Sequence, residues 1–216
     1  MTTDASEPDR RREAVAALGG GLRRLTEAAV RSTAPTGELH ALAEQVEKLA
    51  ADLEAAGRRP VGSIPEFDDL RVGRRAYSPV TGDGHPGAPP VAMARAENGV
   101  KGTFTLGMAH EGPPRFAHGG VTALVLDELM GWAARTTGSP SMTVDLRFAY
   151  RGPVPLNAPL IAEAEVTERD GRSIRVRGRI AAEARPDETL VEADGRFVVP
   201  APEQVSALFP GMEHLL

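Results

Sequence analysis

Residues 118–134 read HGGVTALVLDELMGWAA. A helical run that is apolar on every side belongs in a protein interior. This segment therefore commits the chain to one central helix, at roughly 119–135, that the remaining elements must cover. Two carboxylates, Asp127 and Glu128, interrupt it. An ionised carboxylate in an interior is unfavourable unless it is paired, hydrogen-bonded or protonated, so the helix raises a question of chemistry as well as of packing.

The segments after the helix have a period of two. SMTVDLRFAY (141–150), PLIAEAEVTE (159–168), RSIRVRGRIAAEA (172–184) and TLVEADGRFVVP (189–200) alternate apolar with polar residues. That is the pattern of half-buried strands with one wet face. Val144, Leu146 and Phe148 fall on one face, and Asp145 and Arg147 on the other. Asp170-Gly171 and Pro186-Asp187 read as turns. Before the helix, PVAMARA (90–96) and VKGTFTLGM (100–108) flank Asn98-Gly99, a hairpin signal. A hairpin, one long apolar helix and four strands joined by short turns predict an α+β fold, an antiparallel β-sheet wrapped around a central helix.

Upstream lies a helical extension, 1–60, set apart from a main domain over 61–216. Residues 1–12 are polar and expected to be disordered. Residues 13–31 have helical spacing at Val15, Leu18, Leu22, Leu25 and Ala29, although Gly19-Gly20-Gly21 weakens it. A second helix, capped by Thr36 and closed by Gly57, carries the stripe Leu39, Leu42, Val46, Leu49 and Leu53. The two read as a helical hairpin. SPVTGDGHPGAPP (78–90) is a long Gly/Pro loop of the kind that forms lids or binding loops.

Charge and composition narrow the function. Net charge is −5, with no basic tract, which disfavours nucleic acid and anionic membrane as partners. There are no cysteines, so thiolate metal sites and cysteine nucleophiles are excluded. The N-terminus lacks a secretory h-region, and no apolar run reaches the ~18–20 residues of a membrane span. A cytoplasmic location is expected, with no metal and no cofactor.

Helix geometry then constrains the chemistry. His118 and Asp127 are nine residues apart, about 180° around a helix and roughly 13 Å along it. They cannot serve one site within one chain, but they can meet across a symmetric dimer, which would create two identical sites. Gly119 and Gly120 open the helix, where N–H groups are unpaired and the dipole is positive. Such groups can polarise a carbonyl and hold an oxyanion. Asp127 is the matching base or nucleophile, with desolvation sharpening its reactivity. The bland readings stand alongside: a plain turn-to-helix junction, and a buried acid paired with an arginine. Glu128, ~100° round from Asp127, reads first as a solvated or salt-bridged residue rather than a second catalytic acid, and is grouped with Gly120 as substrate-binding. His110 and Glu111 lie where they could edge a pocket.

GPPRFAHGGVTALVLDELMG (112–131) resembles the signature of hot-dog-fold acyl-CoA thioesterases, in the PaaI-like branch related to 4-hydroxybenzoyl-CoA thioesterases. The resemblance spans about 90–200. It implies hydrolysis of an acyl-CoA by a homodimer, or a homotetramer built as a dimer of dimers, with the active site shared between subunits. Gly119 N–H would polarise the thioester carbonyl, His118 would shape that end of the site, and the partner's Asp127 would act as nucleophile or general base. Arg147 and Arg151 are the implied candidates for CoA phosphates. Gly131 departs from relatives that carry Thr or Ser one turn after the acid to hold the lytic water. Alternatives are an acyl-carrier-protein thioesterase, a hydratase or dehydratase, and a non-catalytic acyl-thioester-binding module.

Overall fold

The computed structural model describes residues 6–70, 73–97 and 99–208. Six strands form one antiparallel sheet in the order β1-β2-β4-β5-β6-β3: β1 (Ala92–Ala96), β2 (Gly99–Thr105), β3 (Met142–Tyr150), β4 (Pro159–Asp170), β5 (Ser173–Ala182) and β6 (Arg185–Val198). The central helix α3 (Gly119–Arg135) lies against one face. Val125, Leu126, Leu129, Met130, Ala133 and Ala134 are wholly buried between helix and sheet. Each of the larger ones contributes about 1.5–3 kcal/mol by leaving water. The helix sits close because the strands beneath it carry glycine. A Cβ on Gly195 would fall 2.8 Å from Met130 Cε and 2.5 Å from Leu146 Cδ2.

The other face of the sheet is wet and charged. Glu163 accepts from Arg179 and lies 3.3 Å from Lys101, while Arg175 pairs with Glu168. Burial alone would raise the Glu163 pKa, but Arg179 and then Lys101 outweigh it and hold the carboxyl below its usual range.

Several expectations change. β3 does not pair with β4. It crosses to the far edge of the sheet beside β6, through a connection over 151–158. The β5–β6 turn falls at Glu183-Ala184, and Pro186-Asp187 lies in a bulge between Arg185 and Thr189. There the missing proline N–H leaves no gap in the ladder. Gly171 turns with φ 54° as Asp170-Gly171 predicts. Asn98 lies outside the described residues.

Helix α1 (Glu7–Val30) begins earlier than expected, because Ser6 caps it by accepting from Asp9 N–H, so residues 7–12 are helical. It runs unbroken through Gly19, where a Cβ would meet the Asp83 carbonyl oxygen at 2.5 Å. The glycine is there for close approach to the 78–90 loop. Arg23 donates to the carbonyls of Asp83 and His85, and Glu27 accepts from the N–H groups of Met108 and Ala109 in the 3-10 turn Met108–His110. Helix α2 (Thr36–Ala55) starts after Pro35, with no side-chain cap from Thr36, and buries none of its residues. The two helices therefore form no packed hairpin. α1 docks on a loop, and the α2 stripe stays exposed. A short helix α4 (Pro202–Leu208) follows the sheet.

The 78–90 loop is packed rather than lid-like. Val80 and Ala88 are buried, and Val80 C=O accepts from Val91 N–H. Ser78 Oγ accepts from Thr81 N–H and donates to Glu128 at 2.9 Å. Glu128 thereby clamps the loop to α3. Its side-chain partners among the described residues are the hydroxyls of Ser78 and Thr81.

Candidate active site

His118 is the N-cap of α3, in extended conformation, and its Nδ1 accepts from Gly120 N–H at 3.0 Å. This bond leaves the proton of a neutral ring on Nε2. It also consumes the Gly120 N–H. The Gly119 N–H, first in the helix, has no intrahelical acceptor and no acceptor elsewhere among the described residues. The Gly119 carbonyl is held from two sides, by Tyr150 Oη at 3.1 Å and Thr122 Oγ1 at 2.8 Å. Absence of a side chain on Gly119 admits the Tyr150 ring, which an added Cβ would meet at 3.1 Å. A groove of about 320 Å³ opens here, with Gly119, Phe116, Tyr150 and Arg151 among its walls. Arg151 is anchored through Nε to Glu192 at 2.8 Å.

Asp127 is half-buried, two turns further along α3. Its Oδ1 accepts from Thr143 Oγ1 at 2.9 Å. Sequence reasoning missed Thr143, and the cause is a β-bulge. The ladder pairs Thr143 with Phe197 but Asp145 with Arg196, leaving Val144 as an extra residue. Strict alternation would put Thr143 on the wet face with Asp145 and Arg147. The bulge resets the parity and places Thr143 opposite buried Phe197, on the helix side. No sequence signal marks this bulge. Gly131, one turn after the acid, carries no hydroxyl and faces Phe197.

Within one chain the structure keeps His118 and Gly119 apart from Asp127, since nine residues of helix separate them by roughly 13 Å. It does not bring Arg147 to either end: that side chain is exposed opposite Asp194 on the face of the sheet away from α3. Glu128 faces the 78–90 loop. His110 lies at the back of the Gly119 end, its carbonyl accepting from His118 N–H. Glu111 Oε1 accepts from the N–H of Arg115, which turns at φ 75°. The β3 edge carries exposed Met142, Val144 and Tyr150, and α3 exposes Leu124. No helix among the described residues is long and apolar enough to cross a membrane.

Comparison with known proteins is consistent with this geometry. Residues 115–188 match the model of the thioesterase superfamily. The chain is 34% identical over 80 residues to acyl-coenzyme A thioesterase THEM4 of Xenopus laevis, covering 37% of this chain and 36% of that protein. It is 29% identical over 111 residues to the Mus musculus THEM4, covering 51% and 47%. The matches thus span less than half the length of these curated relatives. A crystal structure of a thioesterase superfamily protein superposes with a TM-score of 0.75 at 32% identity, over 85% of this chain and 94% of that one. With a helix-wrapping antiparallel sheet and that coverage, the chain belongs to the thioesterase superfamily and has its hot-dog fold.

Proposed function

We propose that this protein hydrolyses acyl-CoA thioesters at a site completed by two subunits, the hot-dog domain over 61–216 carrying the chemistry and residues 1–60 an appended helical extension. One observation carries the reading. The open Gly119 N–H and the Thr143-held Asp127 lie on opposite sides of one helix, each beside exposed apolar surface. Antiparallel pairing of two β3 edges would cover Met142, Val144 and Tyr150. It would also bring the Met142 end of one strand to the Tyr150 end of the other, so that each Asp127 faces the partner's Gly119.

In that site the thioester oxygen accepts from Gly119 N–H, which stabilises the oxyanion as the carbonyl carbon becomes tetrahedral. Asp127 either takes a proton from water as the water oxygen bonds to carbon, or bonds to that carbon itself, in which case a water then cleaves the acyl–Asp127 anhydride to free acid and restores the carboxylate. Collapse of the tetrahedral species breaks the C–S bond and releases the CoA thiolate, which leaves as the thiol after protonation. His118 fixes the N-terminal turn of α3. Arg151, at the mouth of the Gly119 groove, suits an anionic part of CoA. The curated relatives being named acyl-coenzyme A thioesterases supports this choice of substrate.

The test is release of free thiol from short, medium, long and aromatic acyl-CoAs by wild type and Asp127→Asn. Turnover by wild type with a loss of at least ~100-fold in the variant is expected, in the range for removing an acid–base group. A variant as fast as wild type overturns the role of Asp127. Inertness of wild type towards all the esters overturns the activity.

A further inference from the structure

A cavity of about 510 Å³ lies at the C-terminal end of α3, between the start of β3 and the segment that follows α2. Among the described residues three guanidinium groups line it: Arg59, Arg75 and Arg135. Arg59 donates to Ser63 C=O and stacks over Tyr77, and Arg135 donates to Leu70 C=O. Each therefore keeps further N–H donors from its fork. Arg75 has no side-chain partner among the described residues. The one carboxylate on the wall among the described residues, Asp68, is already engaged by Ala76 N–H. Ser141, also on the wall, has a buried Oγ without a hydrogen-bond partner. Between the arginines the surface is apolar, with Ile64, Leu70, Pro140 and Met142.

Position decides which part of a substrate would enter. Ser141 precedes Thr143 by two residues, about 7 Å along an extended strand, and Thr143 holds Asp127. The cavity thus begins two strand residues from the side chain that holds Asp127. CoA's phosphates lie beyond its whole pantetheine arm, whereas the acyl chain starts at the reacting carbonyl carbon.

We propose, building on the thioesterase reading above, that this cavity takes the acyl chain and that its arginines select acyl groups ending in a carboxylate, of the dicarboxylic monothioester class. The methylenes lie along Ile64, Leu70 and Met142. The terminal carboxylate meets Arg75 and Arg59, a fork geometry suited to bidentate pairing.

The test compares kcat/KM for glutaryl-CoA and adipyl-CoA with pentanoyl-CoA and hexanoyl-CoA, which match them in chain length but end in methyl. Wild type should favour the carboxylated esters by about tenfold or more, the range of one charge-assisted hydrogen bond. Arg75→Ala should cut that ratio about tenfold, and Arg75→Lys should keep part of it. Two results overturn the proposal: equal or reversed preference in wild type, or a KM rise in Arg75→Ala that is the same for all four esters, which would place CoA's own phosphates there. Calorimetric binding of free glutarate to wild type and to Arg75→Ala gives a readout independent of turnover. If every ester is inert, the thioesterase reading falls. Glutarate binding lost on Arg75→Ala then upholds the cavity assignment, and absent or unaltered binding overturns it.

Discussion

Thr143 Oγ1 donates to Asp127 Oδ1 at 2.9 Å, across the gap between the edge strand and the central helix. The hydroxyl reaches the carboxylate only because Val144 bulges out of the ladder. It orients one carboxylate oxygen and leaves the other without a partner among the described residues, the arrangement a base or nucleophile needs. Thr143→Ala should lower kcat about tenfold, the scale of one hydrogen bond to a charged group, with KM little changed. Thr143→Ser should restore most of it. Equal losses in both variants would mean that strand packing, rather than the hydroxyl, matters.

Gly119→Pro tests the open N–H. Proline is tolerated at the first helical position, where its missing N–H removes no helix bond. His118, at φ −64° and ψ 132°, already has the extended conformation favoured before proline. Folding should survive, and kcat should fall about 100-fold or more, as for loss of an oxyanion donor. Gly119→Ala is the control. It crowds Tyr150 equally but keeps the N–H, so a matching loss would point to the ring instead.

A site shared between subunits predicts complementation. Asp127→Asn and Gly119→Pro, each nearly inactive alone, should regain about a quarter of wild-type activity when mixed, through hetero-dimers with one intact site. Mixed subunits that stay inactive, under conditions where exchange is seen by mass spectrometry, would place both groups in one chain's site.

Docking of α1 should depend on pH through Glu27. The N–H of Ala109 lowers its pKa most, partial burial opposes this, and Met108 N–H, Arg31 and His110 add to the lowering. A carboxyl depressed in the folded state stabilises it above the ordinary value of 4.5, and this contribution is lost as pH falls through the folded value. Amide hydrogen exchange along α1 should therefore speed up, relative to α3, below about pH 4.5. Glu27→Gln should exchange faster at neutral pH and lose that extra acid dependence. An unchanged profile would show that Arg23 and Val15 suffice to hold the helix.

The sequence by itself determined the helix-wrapping sheet. An all-round apolar segment of 17 residues and a set of period-two strands leave few other ways to bury one helix. His118-Gly119 and Asp127 were legible too, because helix periodicity alone sets them on opposite sides of α3. Local rules also had limits. Residues 7–12 and the Gly19 region looked unfavourable for helix, yet Ser6 caps the start and the glycine allows contact with Asp83. Only the tertiary structure decided that Thr143 reaches Asp127, that Glu128 clamps the 78–90 loop, and that three arginines from distant segments converge near Ser141. A bulge changes strand parity, and a clamp or a cavity joins residues dozens of positions apart. Such features depend on how elements pack, and spacing along the chain carries no record of that.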